Sequence, residues 1–148
     1  MTDAILLRPL GAEEDEIMKI WRTASRVGHP FLTERDLDAQ ELLTRREHLP
    51  RADIVVAERQ GAVVGFIATL ADWIGALFVA PEAQGAGIGR RLVEDAQSQH
   101  TALQLNVYED NHSARGFYAR LGFVQVGRSD QDDEGRLLPV LRLAWPRG

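Results

Sequence analysis

The sequence predicts a mixed α/β domain, a central sheet of about seven strands flanked by four helices, and three observations predict it. Apolar residues recur at helical spacing in the first third of the chain and as β-rich runs in the middle. In the last third the two patterns alternate. The order reads βααβββαβαββ, which implies a sheet covered on both faces, with ligand chemistry where strands end and helices begin. A chain of 148 residues with 45% hydrophobic content fills one core comfortably and two poorly, so one domain spanning residues 1–148 is expected.

The elements follow in order. Ile5-Leu6-Leu7 before Arg8-Pro9 reads as a short strand stopped by proline. From Ala12 to about Val27, Ile17, Ile20, Trp21 and Ala24 share one helix face, and Gly28-His29-Pro30 breaks the run. A second helix is expected from Thr33, as N-cap, to His48, with Ala39, Leu42 and Leu43 inward and Pro50 just beyond. Ile54–Ala57 and Val63–Ala68 read as strands joined through Gln60-Gly61, and Trp73–Val79 as a third, ended by Pro81. A helix after Gly85–Gly89 carries Ile88, Leu92, Val93 and Ala96 to about Gln99. Leu103, Leu105 and Val107 alternate with polar neighbours as a strand, and Ala114, Phe117, Tyr118 and Leu121 return to helical spacing with Gly122 as C-cap. Two last strands, Phe123–Val126 and Leu137–Leu143, flank an acidic loop.

Charge and composition narrow the function. A net charge of −5 and a pI near 5.3 argue against a broad nucleic-acid footprint, so no nucleic-acid partner is expected. No apolar run approaches the roughly 20 residues of a membrane span. Met1-Thr2-Asp3-Ala4 begins no signal peptide, and a cytoplasmic protein is expected. The absence of cysteine excludes disulfides, thiolate nucleophiles and Cys-based metal sites. Asp130, Asp132, Asp133 and Glu134 lack the spacing of an EF-hand, and no metal is expected.

The most informative stretch is Val79–Arg90. Its glycines permit close backbone approach, and a helix N-terminus presents unpaired N–H groups, an arrangement suited to a phosphate or pyrophosphate. A dinucleotide fingerprint starting at Gly85 requires Gly or Ala where Arg90 stands, and a Walker A loop requires Lys-Ser/Thr where Arg90-Arg91 follow. Both fail at a defining residue.

Gln84-x-x-Gly87-x-Gly89, preceded by a strand and Val79-x-Pro81 and followed by Leu92-Val93, resembles motif A of the GNAT N-acetyltransferases. Asn111-x-x-Ala114-x-x-Phe117-Tyr118-x-x-Leu121-Gly122-Phe123 is similar to that family's second signature, and Trp21 with Gly28–Leu32 resembles small bacterial members, some proposed to acetylate protein lysines. The resemblance implies the GNAT fold and acetyl-CoA as cosubstrate. It assigns the pyrophosphate to Gln84, Gly85, Ala86, Gly87, Ile88, Gly89 and Arg90. The pantetheine arm falls to the backbones of Leu77, Phe78 and Val79, where one amide also polarises the thioester carbonyl.

The same resemblance makes Tyr118 the general acid that protonates the departing thiolate, and Asn111 a cofactor contact. Tyr118 also lies on an apolar stripe, where an aromatic belongs to a core, and Asn111 suits an ordinary N-cap. Some GNATs carry a basic glutamate where Asn106 stands, others where Trp73 stands; neither residue accepts a proton. A water relay, or an amine deprotonated in bulk, then becomes the leading option, with His29 as side-chain candidate because its pKa suits the task, and Asp72 behind it. His48, His100 and His112 read as solvated helix-end residues. The acidic loop is a candidate attractor for a cationic acceptor, either a protein lysine or N-terminus or a small-molecule amine. A homodimer is expected on family grounds. The alternatives are a non-catalytic acyl-CoA-binding module, which the missing glutamate makes conceivable, and a toxin acting on charged tRNA, which the acidic composition disfavours.

Overall fold

The computed structural model describes residues 4–146; most of the tetrapeptide on which the expectation of no signal peptide rested lies outside them. The elements are β1 (Ile5–Pro9), α1 (Glu14–Gly28), α2 (Glu34–Leu43), β2 (Asp53–Arg59), β3 (Ala62–Leu70), β4 (Trp73–Val79), α3 (Ile88–Gln99), β5 (Leu103–Tyr108), α4 (His112–Arg120), β6 (Val124–Ser129) and β7 (Val140–Trp145). A π-helical turn, Thr44–His48, and a 3-10 turn, Leu49–Arg51, prolong α2. The seven strands run in the order β1-β2-β3-β4-β5-β7-β6. The β4/β5 pair is parallel, whereas β1/β2, β2/β3, β5/β7 and β6/β7 are antiparallel. This is the predicted mixed α/β architecture.

The chain forms two compact units, Met1–Ala71 with Gly75–Val93, and Asp72–Ile74 with Glu94–Gly148. In the first, Ile17, Met18, Leu37, Val56, Phe66, Ile67, Ile88, Leu92 and Val93 are buried. In the second, Leu103, Leu105, Tyr118, Phe123, Leu141 and Leu143 are buried. Gln60 and Gly61 both take positive φ, 54° and 80°, which is the hairpin chemistry that joins β2 to β3.

Three expectations need correction. β1 continues through Pro9, because an edge strand tolerates a residue without an N–H. The last two strands start later than the apolar pattern suggests. Leu137 is exposed, and the Leu138 amide turns back to the Arg136 carbonyl, so ladder pairing begins at Val140. The third concerns α2. Thr33 caps it as expected, accepting from the Asp36 amide while the Asp36 carboxylate accepts from the Thr33 amide. Leu42 and Leu43, however, are exposed and Ala39 with them, and Leu37 is the buried residue. Glu34, Asp38, Glu41 and Arg45 share the Leu37 face and bond α1: Arg22 reaches Glu34, Asp38 and Glu41, Arg26 reaches Glu34, and Arg45 reaches Glu14 and Asp15. A helix seated by ion pairs is invisible to a search for an apolar stripe.

Candidate active site

In the first unit, β4 ends at Val79 and the chain turns through Pro81–Ala83 into the glycine loop. The Ala80 amide donates to the Val64 carbonyl at 2.8 Å, and Gln84 Nε2 donates to the Val79 carbonyl at 3.3 Å, so Gln84 braces the loop. Gly85 and Gly87 have φ of 86° and 77°. A Cβ on either would meet nothing within 4 Å, so the backbone conformation, not crowding, demands glycine there. The Gly87 carbonyl accepts from the Arg91 amide at 3.1 Å. The helix therefore opens at Ile88 and Gly89, whose amides have no carbonyl four residues back. Ile88 is buried and pins the first turn, whereas Gln84–Gly87 and Arg90 are exposed. Arg91 serves the fold, donating to the Ile5 carbonyl at 2.9 Å. The loop can cradle an anion on backbone amides.

Gly65 went unnoticed in the linear reading. A Cβ there would lie 3.1 Å from the Phe78 carbonyl oxygen and 3.3 Å from Ile88 Cγ2, so β3 needs glycine to pass this close to β4 and α3. Leu77, Phe78 and Val79 are half-buried on β4. Within the second unit β4 pairs with β5 at one register position, Trp73 opposite Gln104.

In the second unit Asn111 caps α4, its Oδ1 accepting from the Ala114 amide at 3.1 Å. Near the helix end the Phe123 amide donates to the Tyr118 carbonyl at 3.1 Å, and Gly122 takes a φ of 92°. Tyr118 meets Phe117 and Phe123 edge-on at 5.0 and 5.4 Å. Its residue surface is only 8% exposed. Its hydroxyl makes no hydrogen bond among the described residues, yet no buried side-chain oxygen there lacks a partner. The ring is therefore core, and the hydroxyl is not wholly enclosed. Burial pushes this phenol well above its ordinary range, so it stays protonated at neutral pH.

His29 lies in the first unit, where its amide closes α1 on the Ser25 carbonyl at 2.8 Å and its ring stands 5.7 Å from Phe31. Burial lowers its pKa, leaving a neutral imidazole at pH 7. Asp72 is occupied by Gln104 Nε2 at 3.0 Å. Asn106 is exposed on β5 opposite Arg142 of β7, whose guanidinium lies 5.3 Å from the Trp73 ring centre. His48 and His112 are exposed as expected, but His100 is half-buried and bonds the Ala96 carbonyl through Nδ1 at 2.9 Å.

The acidic loop is largely neutralised from within. The Asp132 side chain, 5% exposed, accepts from Tyr108 Oη at 2.9 Å and from the Glu134 and Arg136 amides at 3.0 and 2.8 Å. Burial would raise this carboxyl, but the hydrogen bonds outweigh it and hold the pKa below the usual carboxylate value. Arg128 pairs with Asp130 and Arg136 with Glu134. Among the described residues no group of three or more His, Asp or Glu side chains is arranged to hold a metal ion.

Residues 50–125 match the model of the acetyltransferase (GNAT) domain. The chain belongs to the GNAT family. Peptidyl-lysine N-acetyltransferase YjaB of Salmonella typhimurium is 38% identical over 136 residues, covering 90% of this chain and 92% of that protein. Peptidyl-lysine N-acetyltransferase YiaC of Escherichia coli is 33% identical over 136 residues, covering 91% and 92%. The solution structure of apo YjaB from Escherichia coli superposes with a TM-score of 0.83 at 37% identity, covering 98% of this chain and 99% of that one. The protein is thus a GNAT N-acetyltransferase, and acetyl-CoA is the acetyl donor that family uses. Within it, the loop Gln84–Arg90 and residues 75–79 of β4 lie in the first unit with His29, and Asn111 and Tyr118 lie in the second. The sequence reading missed Arg142, which no linear signal joins to Trp73.

Proposed function

We propose that this GNAT enzyme acetylates a primary amine, with a protein lysine as the favoured acceptor, and that Tyr118 is its general acid. Acetyl-CoA supplies an activated acetyl group as a thioester. The amides of Gly85–Arg90, with Gln84, hold its pyrophosphate, and the backbones of Leu77, Phe78 and Val79 align the pantetheine arm, one amide polarising the carbonyl. Asn111 adds a cofactor contact beside its capping role. The acceptor amine, as its neutral form, attacks the thioester carbon. The carbon–sulfur bond breaks, the sulfur takes the Tyr118 proton, and the amine sheds one proton to water or to His29. Tyr118 is reprotonated from solvent.

The observation that carries this reading is a buried phenol held neutral with its hydroxyl unengaged. The lysine acceptor rests on YjaB and YiaC, both named as peptidyl-lysine N-acetyltransferases. The whole chain acts as one catalytic domain in the cytoplasm; among the described residues no helix is long and apolar enough to cross a membrane. The test is acetylation of lysine peptides, N-terminal peptides and polyamines, read by thiol release. Acetyl-CoA binding without thiol release from any of these would sink the proposal.

A further inference from the structure

In the second unit the polar face of the β5/β7 ladder has one unsatisfied corner. Gln104 is engaged by Asp72, and Tyr108 by Asp132. Arg128 and Arg136, the neighbouring cations, are paired with acids. Asn106 and Arg142 differ: cross-strand partners, both exposed, they make no side-chain hydrogen bond or ion pair among the described residues. Opposed residues in a ladder project to the same face with their Cβ atoms about 5 Å apart. On the other flank of Arg142 the register partner in β6 is Gly127, which offers no side chain to cover it.

Arg142 is nonetheless held in place. Its guanidinium lies over the Trp73 ring at 5.3 Å. A cation–π contact of this kind restrains the guanidinium, while its N–H groups make no hydrogen bond among the described residues. A guanidinium so held, with an amide beside it and no acid to neutralise it, matches a planar, two-oxygen anion. Coenzyme A carries phosphates, of which the pyrophosphate is assigned to the glycine loop, but no carboxylate, and the transferred acetyl group is neutral. A planar carboxylate at Arg142 therefore comes from the acceptor.

We infer that Arg142, seated on Trp73 beside Asn106, binds a carboxylate of the acceptor and so selects which amines are acetylated. The carboxylate is an acidic side chain adjoining the target lysine or the α-carboxylate of a free amino acid. This rests on the transferase reading above for its acceptor, but its binding test does not require turnover.

The probes are acetyl-Glu-Lys-Glu-amide and acetyl-Gln-Lys-Gln-amide, with free lysine and lysine amide as the second pair. Binding is followed by NMR at the Trp73 indole N–H, and transfer by thiol release. Wild type should favour the acidic peptide about tenfold, mainly through affinity and KM and not kcat. Arg142→Gln should erase the preference, and Arg142→Glu should invert it; Arg142 is exposed, so neither change disturbs the core. A preference confined to free lysine over its amide identifies the α-carboxylate as the group bound. Equal affinities in wild type for both pairs, or a preference that survives Arg142→Gln, overturns the inference. Carboxylate preference in binding without transfer to any acceptor would sink the transferase reading and leave Arg142 as a carboxylate site.

Discussion

The protein has two tyrosines, and their surroundings make opposite uses of the same group. Both phenols are raised by burial, Tyr108 to about 12 and Tyr118 further. Tyr108 gives its proton to a hydrogen bond with Asp132, inside a loop already stapled by Arg136. Tyr118 buries its ring among Phe117 and Phe123 and leaves its hydroxyl unengaged. A raised phenol is thus not in itself a catalytic signature. The hydroxyl that has no partner among the described residues is the one available to a substrate.

The largest effect should come from Tyr118→Phe. Loss of a positioned general acid should lower kcat by roughly 10²–10⁴-fold, with coenzyme A affinity and thermal stability nearly unchanged. A drop in stability with turnover intact would reverse the comparison and make Tyr118 the structural residue.

Phenolate absorbance sharpens the contrast directly, because only these two groups contribute. Neither should ionise at the ordinary value of about 10. In Tyr118→Phe the remaining phenol should titrate at about 12, and in Tyr108→Phe the remaining one should titrate later still. Since the folded state favours the neutral phenols, their contribution to stability is present below about pH 10 and is lost as pH rises toward 12. A phenol titrating near 10 in either variant would remove the premise.

His29 asks where the other proton goes. As base it should give kcat/KM an acid limb below the ordinary histidine value of about 6.5, because burial lowers its pKa. His29→Gln should then cost about 10²-fold, the low end for general base catalysis, and flatten that limb. An unchanged profile would assign deprotonation to water.

Tyr108→Phe should show the smallest effect, about 1 kcal/mol of stability from one lost hydrogen bond, seen as a lower denaturation midpoint. Turnover should stay within twofold of wild type. A loss comparable with that of Tyr118→Phe would erase the distinction.

The legible parts of this protein are those encoded by neighbouring residues. Gln84–Arg90 could be read because a positive-φ turn and a helix start are local requirements that glycine meets at adjacent positions. Thr33 announced α2 for the same reason, since a capping box closes within three residues. The seat of α2 could not be read, because its inward face is charged and its partners lie on another helix.

What the sequence by itself determined was the order of elements and the glycine turn, consequences of short-range backbone and periodicity rules, and, through the resemblance of two motifs, the family. Tertiary structure alone decided that the Tyr118 hydroxyl has no hydrogen-bond partner among the described residues while Tyr108 bonds Asp132, and that Arg142 rests on Trp73. Each depends on packing between residues distant in the chain, and no residue carries in its own identity the neighbour that folding will bring against it.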